Sequence, residues 1–257
     1  VAAAPQRRQP AVRDVIRATR QLPLYLSAPH ACSYLPGRQS STLFADPEQP
    51  MDMDTYSELL HFGFRRSGRM VYAPRCEHCS QCVSVRLPVD AFAPRRAQRR
   101  VLKANREIAI QPRPARFDPE HYALYQRYTQ ARHSDGDMAD ASPAEYLAFL
   151  RADWCDTQFL EFRLADRLVA VAVTDLPRDG LSAVYTFFEP ELAERSLGTF
   201  AILSQVARTR ALGLPFLYLG YWIHASPKMA YKAGFRPIEL WRAGQWQRFG
   251  PGESLPG

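Results

Sequence analysis

Lysine is scarce in this 257-residue chain: Lys103, Lys228 and Lys232 are the lysines among 33 basic residues, and all the others are arginine. Arginine suits bidentate recognition of phosphate or carboxylate. A net charge of +7 favours an anionic partner, nucleic acid first, although a GC-rich coding bias also accounts for part of the arginine excess. Long apolar runs are missing too. Residues 159–176 are interrupted by Glu161, Arg163, Asp166 and Arg167, well short of the roughly 18–20 residues that cross a bilayer, so a soluble chain without a membrane partner is expected. Residues 1–20 lack the apolar centre of a secretory signal; they read as a mobile basic tail, and a cytoplasmic location is expected. Internal repeats and low-complexity segments are also lacking. With 46% hydrophobic and 12% aromatic residues the composition is globular, which excludes disorder as the main theme.

Cysteine is sparse and odd in number, five in all, which excludes a disulfide framework. Three thiols nevertheless crowd into Cys76-Glu-His-Cys79-Ser-Gln-Cys82. Such spacing lets thiolates converge on one soft ion or cluster, with Cys32 as the fourth ligand and His78 in reserve. Zinc and an iron–sulfur cluster, structural or regulatory, both fit the pattern, and metal-free packing thiols are the alternative. Cys155, beside Trp154, reads as a small buried apolar residue.

Around the cluster, residues 30–43 form a loop turning at Pro36-Gly37, a helix runs from Tyr56 to Gly63, and residues 70–72 and 83–87 read as strands. Residues 92–106 hold Arg95, Arg96, Arg99, Arg100, Lys103 and Arg106. As a helix they would align Arg96, Arg99, Arg100 and Lys103 along one face, as phosphate binding prefers; a merely solvated face is the alternative. Gln111-Pro-Arg-Pro is expected to break the chain, because proline interrupts helix and sheet alike. The expected organisation is therefore the tail, a cysteine-cluster domain with the basic helix over residues 21–112, and a second domain over residues 113–257.

In that second part, residues 118–133 and 142–154 have helical spacing, with residues 134–137 as a turn too poor in oxygen ligands for calcium. A hairpin follows at 159–164 and 168–175, then a strand at 183–189, a helix at 196–212 with Leu203, Val206 and Ala207 on one stripe, a strand at 215–222, a helix near 227–233 and a strand near 237–241. This order implies an α/β (α+β) fold in which an N-acetyltransferase-like mixed sheet splits to admit an acyl donor, with a smaller cysteine-containing domain before it. In acetyltransferases a glycine-rich turn opens the helix that holds the coenzyme A pyrophosphate. Here that turn reads Arg195-Ser-Leu-Gly198-Thr-Phe200, and Phe200 is expected to obstruct the pyrophosphate, which points to another acyl donor.

Several long motifs carry a resemblance: Cys32-Ser-Tyr-Leu-Pro-Gly-Arg38; Gly63-Phe-Arg65-Arg66-Ser67-Gly68 with Tyr72, Pro74 and Cys76; Tyr125-Gln126 with Tyr128 and His133; Ser196-Leu-Gly198-Thr199; and Tyr218-Leu-Gly220-Tyr221-Trp-Ile-His224 followed by Pro227-Lys228-Met229 and Tyr231-Lys232. From about Cys32 to Glu239 the chain resembles the aminoacyl-tRNA–protein transferases of the N-degron pathway, in their bacterial aspartate/glutamate leucyltransferase branch. The resemblance implies transfer of leucine from leucyl-tRNA to the α-amino group of proteins beginning with Asp or Glu, marking them for degradation. Arginyl transfer by the same mechanism, a metal-stapled tRNA-binding protein without catalysis, and an ordinary amine acetyltransferase are the rivals.

No cofactor is required for that chemistry. An aminoacyl ester is already activated, and an α-amine with a pKa of about 7.7–8.0 is partly neutral near pH 7. Gly220, where a bulge could aim backbone amides at the oxyanion, Tyr221 and His224 are the candidate catalytic residues; His224 also reads as a structural histidine ending a strand. Tyr218 and Tyr221 are expected to point one to the core and one to the cleft. An acidic acceptor terminus needs a cationic pocket. Arg65 and Arg66 rank first for it, fixed by Ser67-Gly68, ahead of Arg38, Lys228 and Lys232, the two lysines also being readable as an exposed helix edge. Gly198 and Tyr231 complete the substrate-binding set.

Overall fold

The computed structural model describes residues 22–132 and 140–256. The tail at residues 1–20, His133 and the turn at residues 134–137 lie outside the described residues.

In chain order the elements begin with β1 (Leu24–Leu26), β2 (His30–Ala31), β3 (Gln39–Ser40), β4 (Thr42–Ala45), α1 (Met53–His61), β5 (Arg65–Ser67), β6 (Met70–Pro74), β7 (Val83–Pro88) and α2 (Arg96–Ala104). There follow β8 (Ala109–Pro114), α3 (Pro119–Arg132), α4 (Pro143–Leu150), β9 (Thr157–Leu164), β10 (Arg167–Asp175), β11 (Gly180–Phe188), α5 (Leu197–Ala211), β12 (Phe216–Trp222), α6 (Pro227–Ala230), β13 (Ile238–Arg242) and β14 (Gln245–Phe249). Local chemistry fixes several boundaries. The Asp52 carboxylate accepts from the Thr55 amide at 2.8 Å to open α1. Ser142 and Glu145 form a capping box, with Pro143 in the first turn of α4. Ala165 and Asp166 both take positive φ, the hand that a tight β9–β10 hairpin requires.

Among the described residues, β1-β4-β6-β5 form a small sheet, β2 and β3 pair, and the large mixed sheet runs β14-β13-β7-β12-β11-β10-β9-β8. Helices α2 and α5 cover one face of the large sheet, through Val101, Leu102, Ile202, Leu203 and Val206. The opposite face is covered by α3 and α4 over Phe159, Val171 and Phe187. On that same face α1 and the small sheet seat against Tyr218. This is the expected mixed α/β architecture with a large split sheet and a cysteine-bearing N-terminal part.

Two details correct the sequence reading. Pro112 and Pro114 do not break the sheet: they lie in β8, an edge strand paired with β9, where residues of one parity need no donor. The 112/113 junction thus falls within a strand, and β7, from the N-terminal side of it, lies between β12 and β13. Ala207 is exposed; the inward stripe of α5 is Phe200, Ala201, Leu203, Val206 and the polar Gln205 and Thr209.

One buried ion pair joins the layers. Arg66 on β5 makes a two-pronged contact with Asp175 at the end of β10, and neither side chain is accessible. The guanidinium also donates to the carbonyls of Leu150 (3.0 Å) and Gly68 (3.2 Å) and to Thr157 Oγ1 (3.0 Å). Asp175 in turn accepts from Thr157 (2.8 Å) and Tyr56 (3.3 Å). Removing either partner, as in Arg66→Met or Asp175→Leu, is expected to destabilise the fold by ~3–5 kcal/mol in urea unfolding, and the double replacement by much less.

Candidate acyl-transfer site

Strands β11 and β12 pair in parallel over three positions only, Gly180 to Ser182 against Phe216 to Tyr218. Beyond these β11 stays with β10 and β12 stays with β7, so the sheet opens between Ala183 and Leu219. At the mouth of the opening β12 bulges: its register against β7 shifts between Tyr218 and Gly220, and Gly220 adopts φ +80°. A side chain is disfavoured in that conformation, which is the physical reason for glycine here.

The bulge also changes parity. Tyr218 sits in the core beneath the small sheet, and the Tyr221 hydroxyl lies 3.1 Å from the carbonyls of Gly63 and Tyr72, to one of which it donates. Both tyrosines therefore point to the same face and both are buried, in place of the expected core-and-cleft alternation.

Arg65 crosses the opening from the small-sheet side. Its Nη2 donates to the Ala183 carbonyl at 2.7 Å, and its Nε lies 3.6 Å from where a Cβ on Gly220 would stand. The side chain is buried and Nη1 has no hydrogen-bond partner. Next along β12, the Tyr221 carbonyl accepts from Lys232 Nζ at 2.6 Å. Burial, then the charge of Arg65, pulls the Lys232 pKa down to about 7.

The structure separates the other sequence candidates. Arg66 is enclosed with Asp175, as above. Ser67, partly buried, pairs with Met70 in the small sheet. Arg38 is exposed, and its carbonyl accepts from the Cys32 amide. Lys228 and Tyr231 are exposed while Lys232 is buried, so the two lysines do not share an exposed helix edge. His224 is exposed at the end of β12, with its ring against Trp222 and no hydrogen-bond partner among the described residues. Gly198 opens α5 against the Phe188 ring. Phe200 turns inward onto Phe162, so it does not stand over the helix N-terminus as the sequence suggested. Sequence reasoning missed the carboxylate that claims Arg66: Asp175 looked like the end of a hairpin strand.

The thiols of Cys32, Cys76, Cys79 and Cys82 share one corner of the small sheet. Cys76 and Cys79 face each other across a β-bridge, and burial followed by the other three thiols pushes the Cys82 pKa up to about 12. Sulfur atoms are the donor set of a soft ion, and a raised thiol pKa is what a bound cation would reverse. A 630 Å³ cavity is lined by Cys76, Cys79, Cys82 and Tyr221. Among the described residues, the group of three ligating side chains with donor atoms within 4.8 Å of one another is Asp118, His121 and Glu161; the thiols are set wider. Glu161 there is already held by His121 (2.8 Å) and Arg163 (2.9 Å).

A mixed sheet that parts beside a bulged glycine, with cations at the opening, forms a cleft of the kind an acyl-transfer reaction needs. Family models described as "Arginine-tRNA-protein transferase, N terminus" and "C terminus" match residues 30–100 and 120–242. The chain is 50% identical over 228 residues to an "Aspartate/glutamate leucyltransferase" of Alkalilimnicola ehrlichii, covering 88% of this chain and 95% of that one. It is 49% identical over 223 residues to the protein of the same name from Nitrosococcus oceani, covering 86% and 94%. A solved structure of L-PGS from Bacillus licheniformis aligns with 56% of this chain and 47% of its own, at 13% identity and a TM-score of 0.40, too distant to carry an argument. The chain belongs to the arginine-tRNA-protein transferase family and is an aminoacyltransferase.

Gly220→Ala would set a Cβ in ordinary contact with Arg65 but hold it at φ +80°, a strain of ~1–3 kcal/mol. The transfer rate is expected to fall by about 10-fold or more, with circular dichroism unchanged, because the bulge and not the overall fold absorbs that strain.

Proposed function

We propose that this enzyme transfers leucine from leucyl-tRNA to the α-amino group of proteins beginning with Asp or Glu, and that the opening between β11 and β12 is where the ester meets the amine. The observation that carries the placement is the parting of the strands beside Gly220. The donor and acceptor are those in the names of relatives about 50% identical over most of the chain.

The neutral amine attacks the leucyl ester carbonyl, forming a C–N bond. Collapse of the tetrahedral centre breaks the ester C–O bond, and the terminal ribose oxygen leaves with a proton that the amine gives up. Backbone amides of the bulge near Gly220 face the developing oxyanion, while Tyr221 and Lys232 hold the strand beside it. Activation resides in the ester, so the protein's main contribution is orientation.

The basic helix α2 is the proposed path for the tRNA backbone. Arg96, Arg99, Arg100 and Lys103 are exposed, and none forms an ion pair among the described residues. Arg95 at its start lies against Gly234, at the end of the turn that carries Lys232. The helix packs on α5, so the polyanion approaches from the face of the large sheet opposite the small sheet. Cys32, Cys76, Cys79 and Cys82 are the proposed ligands of a structural zinc ion or iron–sulfur cluster that fixes the loops before β7 and takes no part in the transfer. Among the described residues no helix is long and apolar enough to cross a membrane, and a cytoplasmic location is part of the proposal.

Incubation with charged leucyl-tRNA is expected to place leucine on peptides beginning with Asp or Glu and not on one beginning with Ala, read by mass spectrometry; folded protein that labels none of them would sink the reading. Separately, elemental analysis of anaerobically purified protein is expected to find zinc or iron, and Cys79→Ser to lower it; metal-free, fully active protein would refute the clip.

A further inference from the structure

Arg65 and Lys232 are buried cations that meet consecutive residues of β12: one lies against Gly220, the other donates to the Tyr221 carbonyl. Neither forms an ion pair among the described residues, whereas the adjacent Arg66 has its carboxylate and Arg86, also buried, has Glu239 at 2.8 Å. Buried charge is costly to leave uncompensated. Arg65 retains a donor, Nη1, shielded from solvent and bonded to nothing, and the Lys232 ammonium, buried as well, meets the uncharged Tyr221 carbonyl and the Met229 sulfur. The two backbone positions flanking the guanidinium, Ala183 and Gly220, are both partly exposed, so the opening in the sheet leads onto it. Arg65 arrives from the small sheet, on the face opposite α5 and the basic helix.

We infer that Arg65, assisted by Lys232, forms the carboxylate-binding site that selects the acidic first side chain of the acceptor protein. This rests on the function proposed above and goes further in naming which cations read the acceptor and from which face. The acceptor enters from the small-sheet side and the tRNA ester from the α5 side, so amine and carbonyl meet through the gap beside Gly220. An Asp or Glu side chain supplies the missing anion and satisfies Nη1, whereas Asn or Gln at the same position leaves both cations unneutralised. Arg66 is a positioning residue: its bond to Asp175 anchors the strand from which Arg65 projects.

The test measures kcat/KM for two peptides that differ only in Asp or Asn at the first position, with wild-type protein, Arg65→Gln and Lys232→Met, each checked by thermal melting. Both variants are expected to lower kcat/KM for the Asp peptide about 10–100-fold, the range set by losing a charge-assisted hydrogen bond. The Asp-to-Asn ratio of kcat/KM is expected to fall about 10-fold in both variants, while the KM for leucyl-tRNA should not change. If Arg65→Gln does not fold, Lys232→Met carries the comparison alone. An unchanged Asp-to-Asn ratio in the folded variants, or a rise in leucyl-tRNA KM in place of peptide KM, overturns the assignment. Wild-type protein inactive on the Asp peptide would instead overturn the parent function.

Discussion

The contact between Arg66 and Asp175 is the constraint on which the site depends. The small sheet is built from strands of three to five residues, too short to bury much area by themselves. It is held to the large sheet by hydrophobic contact with Tyr218 and by this fully enclosed ion pair. A two-pronged guanidinium–carboxylate contact constrains angle as well as distance, and here it joins β5 to the end of β10 while a third bond reaches the carbonyl that ends α4. Because Arg65 is the preceding residue and strand side chains alternate, clamping Arg66 on one side of β5 directs Arg65 to the other, toward the opening.

The opening itself follows from competition between neighbours. After three paired positions, β11 continues with β10 and β12 continues with β7, and neither strand has a reason to return to the other. Two irregularities make this geometry stable: the bulge at Gly220, and a register shift between Val173 and Thr174 in the β10–β11 pair. Extra residues in one strand increase local twist, which favours the divergence of the two strands. On the proposed reading, the backbone groups left at the opening serve the tetrahedral intermediate.

Much of this was legible from residues. The order of helices and strands beyond residue 113 specified a split-sheet acyltransferase, and the basic helix was visible in the spacing of its arginines. What was hidden depended on partners distant in sequence. Arg65 and Arg66 are chemically identical neighbours, and nothing local says that the second has a carboxylate 109 residues away while the first has none. Strand alternation assigned Tyr218 and Tyr221 to opposite faces, and the inserted bulge residue restored them to one. Two prolines looked like a terminator because the rule against proline in sheets is a rule about donors, and an edge strand has positions that do not donate. Phe200 was judged by its place in a motif, although a large aromatic three residues into an amphipathic helix has a core to enter.

Selectivity, more than rate, accounts for a buried arginine at a reaction that needs so little catalysis. The leucyl ester would aminolyse with many amines once both were held together, so an indiscriminate cleft would label any protein terminus that reached it. Discrimination of an acidic side chain from its neutral isostere cannot come from shape, since Asp and Asn differ hardly at all in size. It requires a cation that is unfavourable when unpartnered, which means one withdrawn from water and left without a carboxylate of its own. Arg65 meets those conditions: it is 5% exposed, has an unbonded nitrogen and stands beside a lysine whose charge is already suppressed. A surface arginine would attract acidic acceptors and uncharged ones with little difference, screened by salt. Enclosure in the sheet opening turns the same charge into a criterion for entry, and the rigid Arg66–Asp175 anchor maintains that enclosure.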